Sequence, residues 1–187
     1  MTSRTAPRPP RTSEADVVRS AARFLEREGY RVYPNPDSTD YFDLVARRGD
    51  EVGLVEAKVS GSREVLAQAL KRRAWGDWVA VVLPSATAAE RLAARTTGTR
   101  AAPVGVWAVT AEGGVRVVRA AGRWVRPGEE DPYAELRSRF RAVLDRIDRG
   151  ELPPTVRWQG VVGEVRRASG GRGFKEWRLD EPSSLDR

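Results

Sequence analysis

The chain has 187 residues, 40% of them hydrophobic, with a formal net charge of +7, enough for one domain of ordinary size with a real core and an appendage. It contains neither cysteine nor histidine, which excludes disulfides, Cys/His zinc sites, thiol nucleophiles and imidazole bases. Carboxylate and lysine chemistry remains, and oxygen ligands favour hard cations, magnesium or manganese, over zinc or copper.

Residues 1–11 carry Pro7, Pro9 and Pro10 among three arginines and read as a disordered basic arm. Thr12 or Ser13 then caps a helix running to about Glu28, with Asp16 in its first turn and Gly29 as its stop. Its apolar face is Val17, Val18, Ala21, Phe24 and Leu25, and Glu14 shares that stripe. The Glu14 carboxylate either points toward the sheet or complements the helix dipole. A short strand, Tyr30 to Tyr33, and a turn through Pro34 and Pro36 follow.

The next two segments, Tyr41 to Ala46 and Gly53 to Val59, are apolar and separated by Arg48-Gly49-Asp50, which predicts a hairpin. Strand alternation puts Glu56 and Lys58 on one face and Val55, Ala57 and Val59 on the other, with Asp43 opposite in sense to Phe42 and Leu44. Three charged groups thus converge on an otherwise apolar sheet. Buried charges are costly unless they are paired or bind a metal, and a divalent cation would be a fitting partner.

A helix over Arg63 to Arg73 brings Val65, Leu66, Ala69 and Leu70 to one face. Gln68 lies among them, facing either the site or solvent, and Lys71, Arg72 and Arg73 at the helix end are candidate phosphate contacts. The continuous apolar run Trp78 to Leu83, stopped by Pro84, predicts a strand buried on both faces. A helix over Ala86 to Arg95 and strands near Val104 to Val109 and Val115 to Arg119 complete a core domain of residues 12–125, α/β with a mixed sheet.

The pattern breaks around Arg126 to Pro132, so residues 126–187 read as a C-terminal extension. An amphipathic helix over 132–149 repeats Tyr133, Leu136, Phe140, Val143 and Ile147 as one stripe. It packs on its own core in preference to a second copy, a homodimer being the other arrangement. Beyond Pro154, Val161 to Ala168 and Phe174 to Leu179 flank a glycine-rich turn and read as a basic hairpin or a loose tail. Arg166, Arg167, Arg172 and Lys175 there are offered to nucleic acid, with Phe174 and Trp177 for stacking.

Only Lys58, Lys71 and Lys175 are lysines among 33 basic residues, an arginine bias typical of GC-rich coding. The basic excess still falls almost wholly in residues 1–125 and favours a polyanionic partner, DNA in preference and RNA not excluded. No stretch is apolar for the roughly 20 residues that span a membrane, and the polar, Pro-rich start has no apolar leader core, so the expectation is a soluble cytoplasmic protein without a membrane partner.

A helix with early Glu14, a strand with Asp43, a strand with Glu56-Ala57-Lys58, a helix with Gln68 and the strand Trp78 to Leu83 follow in order over roughly residues 13–110. This resembles the PD-(D/E)xK phosphodiesterase superfamily, the restriction-endonuclease-like fold that includes small Holliday-junction-resolvase-like nucleases. The resemblance implies a Mg2+- or Mn2+-dependent endonuclease acting on DNA, structure-selective cutting among its options, in repair, recombination or defence. It implies Asp43 and Glu56 as cation ligands with the Ala57 main-chain carbonyl and Glu14, Lys58 as the group that orients water, and Gln68 as an auxiliary. Attack would be in line, leaving a 5′ phosphate. Two departures stand out: Arg72, not tyrosine, follows Gln68 by four residues, and Phe42, not proline, precedes Asp43. The alternative is a non-cutting nucleic-acid-binding module of the same fold.

Overall fold

The computed structural model describes residues 12–35, 41–61, 63–125 and 130–168. Helix α1 (Glu14–Arg27) starts in a capping box: the Ser13 side chain accepts from the Asp16 N–H, and the Ser13 N–H donates back to Asp16 at 2.9 Å. Gly29 follows with a φ of 81°, a conformation that glycine adopts without steric cost. The buried stripe Val17, Ala21 and Leu25 lays the helix across one face of a sheet.

Six strands form that sheet in the order in which they occur along the chain: β1 (Arg31–Pro34), β2 (Leu44–Arg48), β3 (Glu51–Ala57), β4 (Trp78–Leu83), β5 (Gly105–Val109) and β6 (Val115–Arg119). β2 runs antiparallel to both β1 and β3. β3, β4 and β5 are parallel and need crossovers, supplied by α2 (Arg63–Arg72) and α3 (Ala86–Thr96). β6 returns antiparallel to β5. The molecule is therefore α/β with a mixed, helix-flanked sheet.

β4 is buried along its whole length, as its unbroken apolar run predicts. Val79, Val81 and Leu83 enter a large core, while Trp78, Ala80 and Val82 enter a smaller one under α1. Gly53 pairs with Trp78 across β3 and β4. A Cβ on Gly53 would sit 1.9 Å from the indole, so only glycine lets that ring lie on the strand.

Two further helices, α4 (Ala134–Asp148) and α5 (Trp158–Ala168), close the large core. Leu136, Phe140, Val143 and Ile147 of the α4 stripe are buried in it, so the chain's own core covers that face. Phe140 sits 5.6 Å from Phe42, 5.7 Å from Trp75 and 5.8 Å from Trp158, ring centre to ring centre. Ion pairs add register: Arg141 to Asp77 at 2.7 Å, and Arg47 to Asp145 at 2.6 Å.

Val161 to Ala168 is not a hairpin strand but most of α5. Trp158, Val161, Val162 and Val165 recur at helical spacing and are all buried, and tertiary burial of that stripe outweighs the strand preference of three valines. The partner segment Phe174 to Leu179, with Arg172 and Lys175, lies outside the described residues, as do the arm at 1–11 and part of the break at 126–129. No helix among the described residues is long and apolar enough to cross a membrane.

Candidate active site

β2 begins only at Leu44, which leaves Asp43 in a bend ahead of the strand. Alternation fails across that bend: Phe42 enters the large core and Leu44 the small one, so the two do not share the face expected of them. The Asp43 side chain extends the β2–β3 pairing instead, its Oδ2 accepting the Ala57 N–H at 2.7 Å. Asp43 is thereby pinned beside the last residue of β3.

Glu56 and Lys58 diverge from there. Glu56 faces α2, where Arg72 Nε donates to its Oε1 at 2.7 Å. Lys58 lies one residue beyond the strand end, its own N–H held by the Val82 carbonyl at 3.1 Å. Its ammonium reaches Glu14 Oε1 on the first turn of α1 at 3.0 Å and Asp43 Oδ2 at 3.7 Å. The expectation that Glu56 and Lys58 project from one strand face is thus corrected, because the strand ends at Ala57 and Lys58 is free of its alternation. Both still border Asp43, and the resulting cluster draws on α1, the bend before β2, the end of β3 and α2.

Electrostatics ties the cluster together. Burial pushes the Glu56 carboxyl up to about 7; the Arg72 guanidinium opposes the rise and the Asp43 charge adds to it. Asp43 is also raised, by burial first, against the pull of the Ala57 N–H and of Lys58. Burial alone would lower Lys58, but Asp43, Glu14 and Glu56 together outweigh it, and its pKa ends above the ordinary value. Lys58 is therefore a fixed cation at neutral pH, suited to orienting water or steadying an anion rather than to accepting a proton.

Around this centre, Gln68 lies one helical turn before Arg72, and its Oε1 is sealed from solvent with no hydrogen-bond partner among the described residues. Lys71 and Arg167 are at the surface. Arg72, expected to meet phosphates, is turned inward, with its guanidinium carbon 3.8 Å from the centre of the Tyr41 ring. Arg166 is also turned inward and donates to the Tyr41 hydroxyl at 2.9 Å. Arg73 is half-buried, and its carbonyl accepts from Arg137 at 2.6 Å. Tyr41 is the site neighbour that the sequence did not single out. The one available signal was the four-residue step from Gln68 to Arg72, which brings the arginine back to the sheet-facing side of α2.

The fit of a divalent cation can be judged from the donors. Among the described residues no group of three or more acidic side chains is arranged to hold a metal. Asp43 Oδ1 and Glu56 Oε2 are each left unused by the hydrogen bonds within that set. Two buried carboxylates with spare oxygens suit magnesium, which binds through one or two carboxylates plus water and substrate phosphate rather than in an all-protein cage. Glu14, expected as a further ligand, is engaged by Lys58, and Ala57 ends β3 beside both carboxylates. No family model, no curated protein and no solved structure matches the chain.

Proposed function

We propose that this chain is a magnesium- or manganese-dependent endonuclease that hydrolyses DNA phosphodiester bonds. The observation that carries the reading is the junction at the end of β3, where buried Asp43 and Glu56 each keep one oxygen unused by the described residues and the Lys58 ammonium lies 3.7 Å from Asp43. Asp43 and Glu56 would hold the cation, which when bound would acidify water and offset charge on the phosphate oxygens. Lys58, braced by Glu14, would orient the attacking water or steady the negative charge that develops on the phosphate. Arg72 holds Glu56 in place through Oε1. The net positive charge steers a polyanion toward the molecule.

A second reading, a non-cutting nucleic-acid-binding module, draws on the ion pairs themselves: Arg72 with Glu56 and Lys58 with Glu14 already compensate the buried charges without a cation. The deciding experiment incubates the protein with plasmid, linear, branched and single-stranded DNA in magnesium or manganese. Cleavage that Asp43→Ala or Glu56→Ala abolishes, and that Lys58→Ala slows by about 10² to 10³, supports the endonuclease. DNA binding without cleavage under every condition would replace it with the second reading. Variants that cut as well as the parent would move the site elsewhere.

A further inference from the structure

A cleft of about 230 Å³ opens on the α1 face of the sheet, beside the C-terminal half of α1 and the start of β3. Its lining includes Phe24, Tyr30, Trp78 and Trp107, with Arg48 and Glu51 among its polar groups. The rings brace one another edge-on or tilted: Tyr30 and Trp78 at 5.6 Å, Phe24 and Trp107 at 5.3 Å, Trp78 and Trp107 at 5.8 Å. Trp78 is seated against the bare backbone of Gly53, so this wall is built in advance of any ligand.

Trp107 is 5% exposed and its indole nitrogen is sealed from solvent, so the ring contributes apolar wall to the cleft. The polar side is equally organised. Glu51 accepts from the Tyr30 hydroxyl at 2.9 Å and pairs with both Arg48 and Arg123 at 3.3 Å. Arg48 also lies 4.4 Å over the Tyr30 ring. Both arginine side chains are more than half exposed, and each guanidinium has more donors than these contacts use.

We infer that this cleft binds a nucleotide, its base against the aromatic wall and its phosphate at Arg48 and Arg123. A hydrocarbon would make no use of the two guanidinium groups, and a bare phosphate would make no use of four rings. Glu28 at the rim accepts hydrogen bonds, which selects a base that carries an exocyclic amine. The same chemistry is presented by a free mononucleotide and by an unpaired base within a strand. The site shares no residue with the candidate active site and stands independently of it.

The test uses the full-length protein, following tryptophan indole N–H resonances by NMR and binding heat by calorimetry. The probes are adenosine monophosphate, adenosine and a short oligodeoxyadenylate. Trp107→Phe assigns the indole signal and keeps an aromatic wall, and Arg48→Ala should weaken the monophosphate about tenfold by removing one charged partner. Ala120→Trp, at an exposed position of the lining, should block binding while the melting temperature stays unchanged. A saturable shift of the Trp107 signal that Ala120→Trp removes supports the inference, and adenosine should bind more weakly than its monophosphate. An oligonucleotide that binds more tightly than the monophosphate identifies a strand as the source; equal binding identifies the free nucleotide. No shift with any probe, or binding that survives Ala120→Trp, overturns the inference. Adenosine binding as tightly as its monophosphate overturns the role of the two arginines.

Discussion

Glu56 is the residue whose environment makes the sharpest prediction. Its folded pKa of about 7 lies above the ordinary 4.5 because burial disfavours the charge. Between those two values the unfolded chain has already lost the proton that the folded chain retains. Folding stability from this group is therefore fully present below about pH 4.5 and declines as pH rises toward 7, by up to about 3 kcal/mol. Glu56→Gln should flatten that slope in a melting-temperature profile, and an unchanged slope would refute the assignment. Glu14 makes a different prediction. If it acts by bracing Lys58 at 3.0 Å, then Glu14→Gln should slow cleavage in the parent yet add nothing to Lys58→Ala, a non-additivity that a double-mutant cycle measures directly. Equal losses in both backgrounds would return Glu14 to an independent role. At this scale the sequence revealed the participants, because a carboxylate or ammonium on an apolar segment stands out. It did not reveal that Lys58 turns to α1 while Glu56 turns to α2, since periodicity does not mark where a strand stops.

Among the elements, α5 shows how local preference is overruled. Val161, Val162 and Val165 are β-branched and suggested a strand, yet with Trp158 they form one buried helical stripe. Trp158 is fully buried and packs edge-on against Tyr33 at 6.3 Å and Phe42 at 6.2 Å. Trp158→Ala should cost about 3 to 5 kcal/mol in urea unfolding, and a loss below 1 kcal/mol would mean that α5 is not part of the cooperative core. β4 is the opposite case, legible in advance because an apolar run of six residues fits a two-sided strand better than any short helix. Gly53 yields a prediction for the β3–β4 pair. Adding a single methyl meets the Trp78 ring at 1.9 Å, so Gly53→Ala should destabilise by about 1 to 3 kcal/mol through overpacking. The same denaturation experiment detects this, and a neutral substitution would show that the indole can move aside.

For the molecule as a whole, helices and strands alternating along the chain were enough to predict an α/β fold with a mixed sheet, since parallel strands require crossovers and the antiparallel hairpin announces itself by its turn. The closing of the large core by α4 and α5 was less legible, because an amphipathic stripe says only that something must cover it. Arg47 and Arg141, which look like generic basic residues in an arginine-rich chain, prove to tie α4 to the sheet and its loops through Asp145 and Asp77, while Arg137 pairs with Asp131 just ahead of that helix. Much of the positive charge is thus committed internally. β3 has a consequence of its own. Its first residue, Glu51, organises the aromatic cleft, and its sixth, Glu56, faces Arg72 near Asp43. Sliding the strand by one position against β2 would turn each carboxylate to the face opposite its own. The two sites therefore arise or fail together at the moment that hairpin closes, and a chain trapped in the wrong register would be blank at both ends.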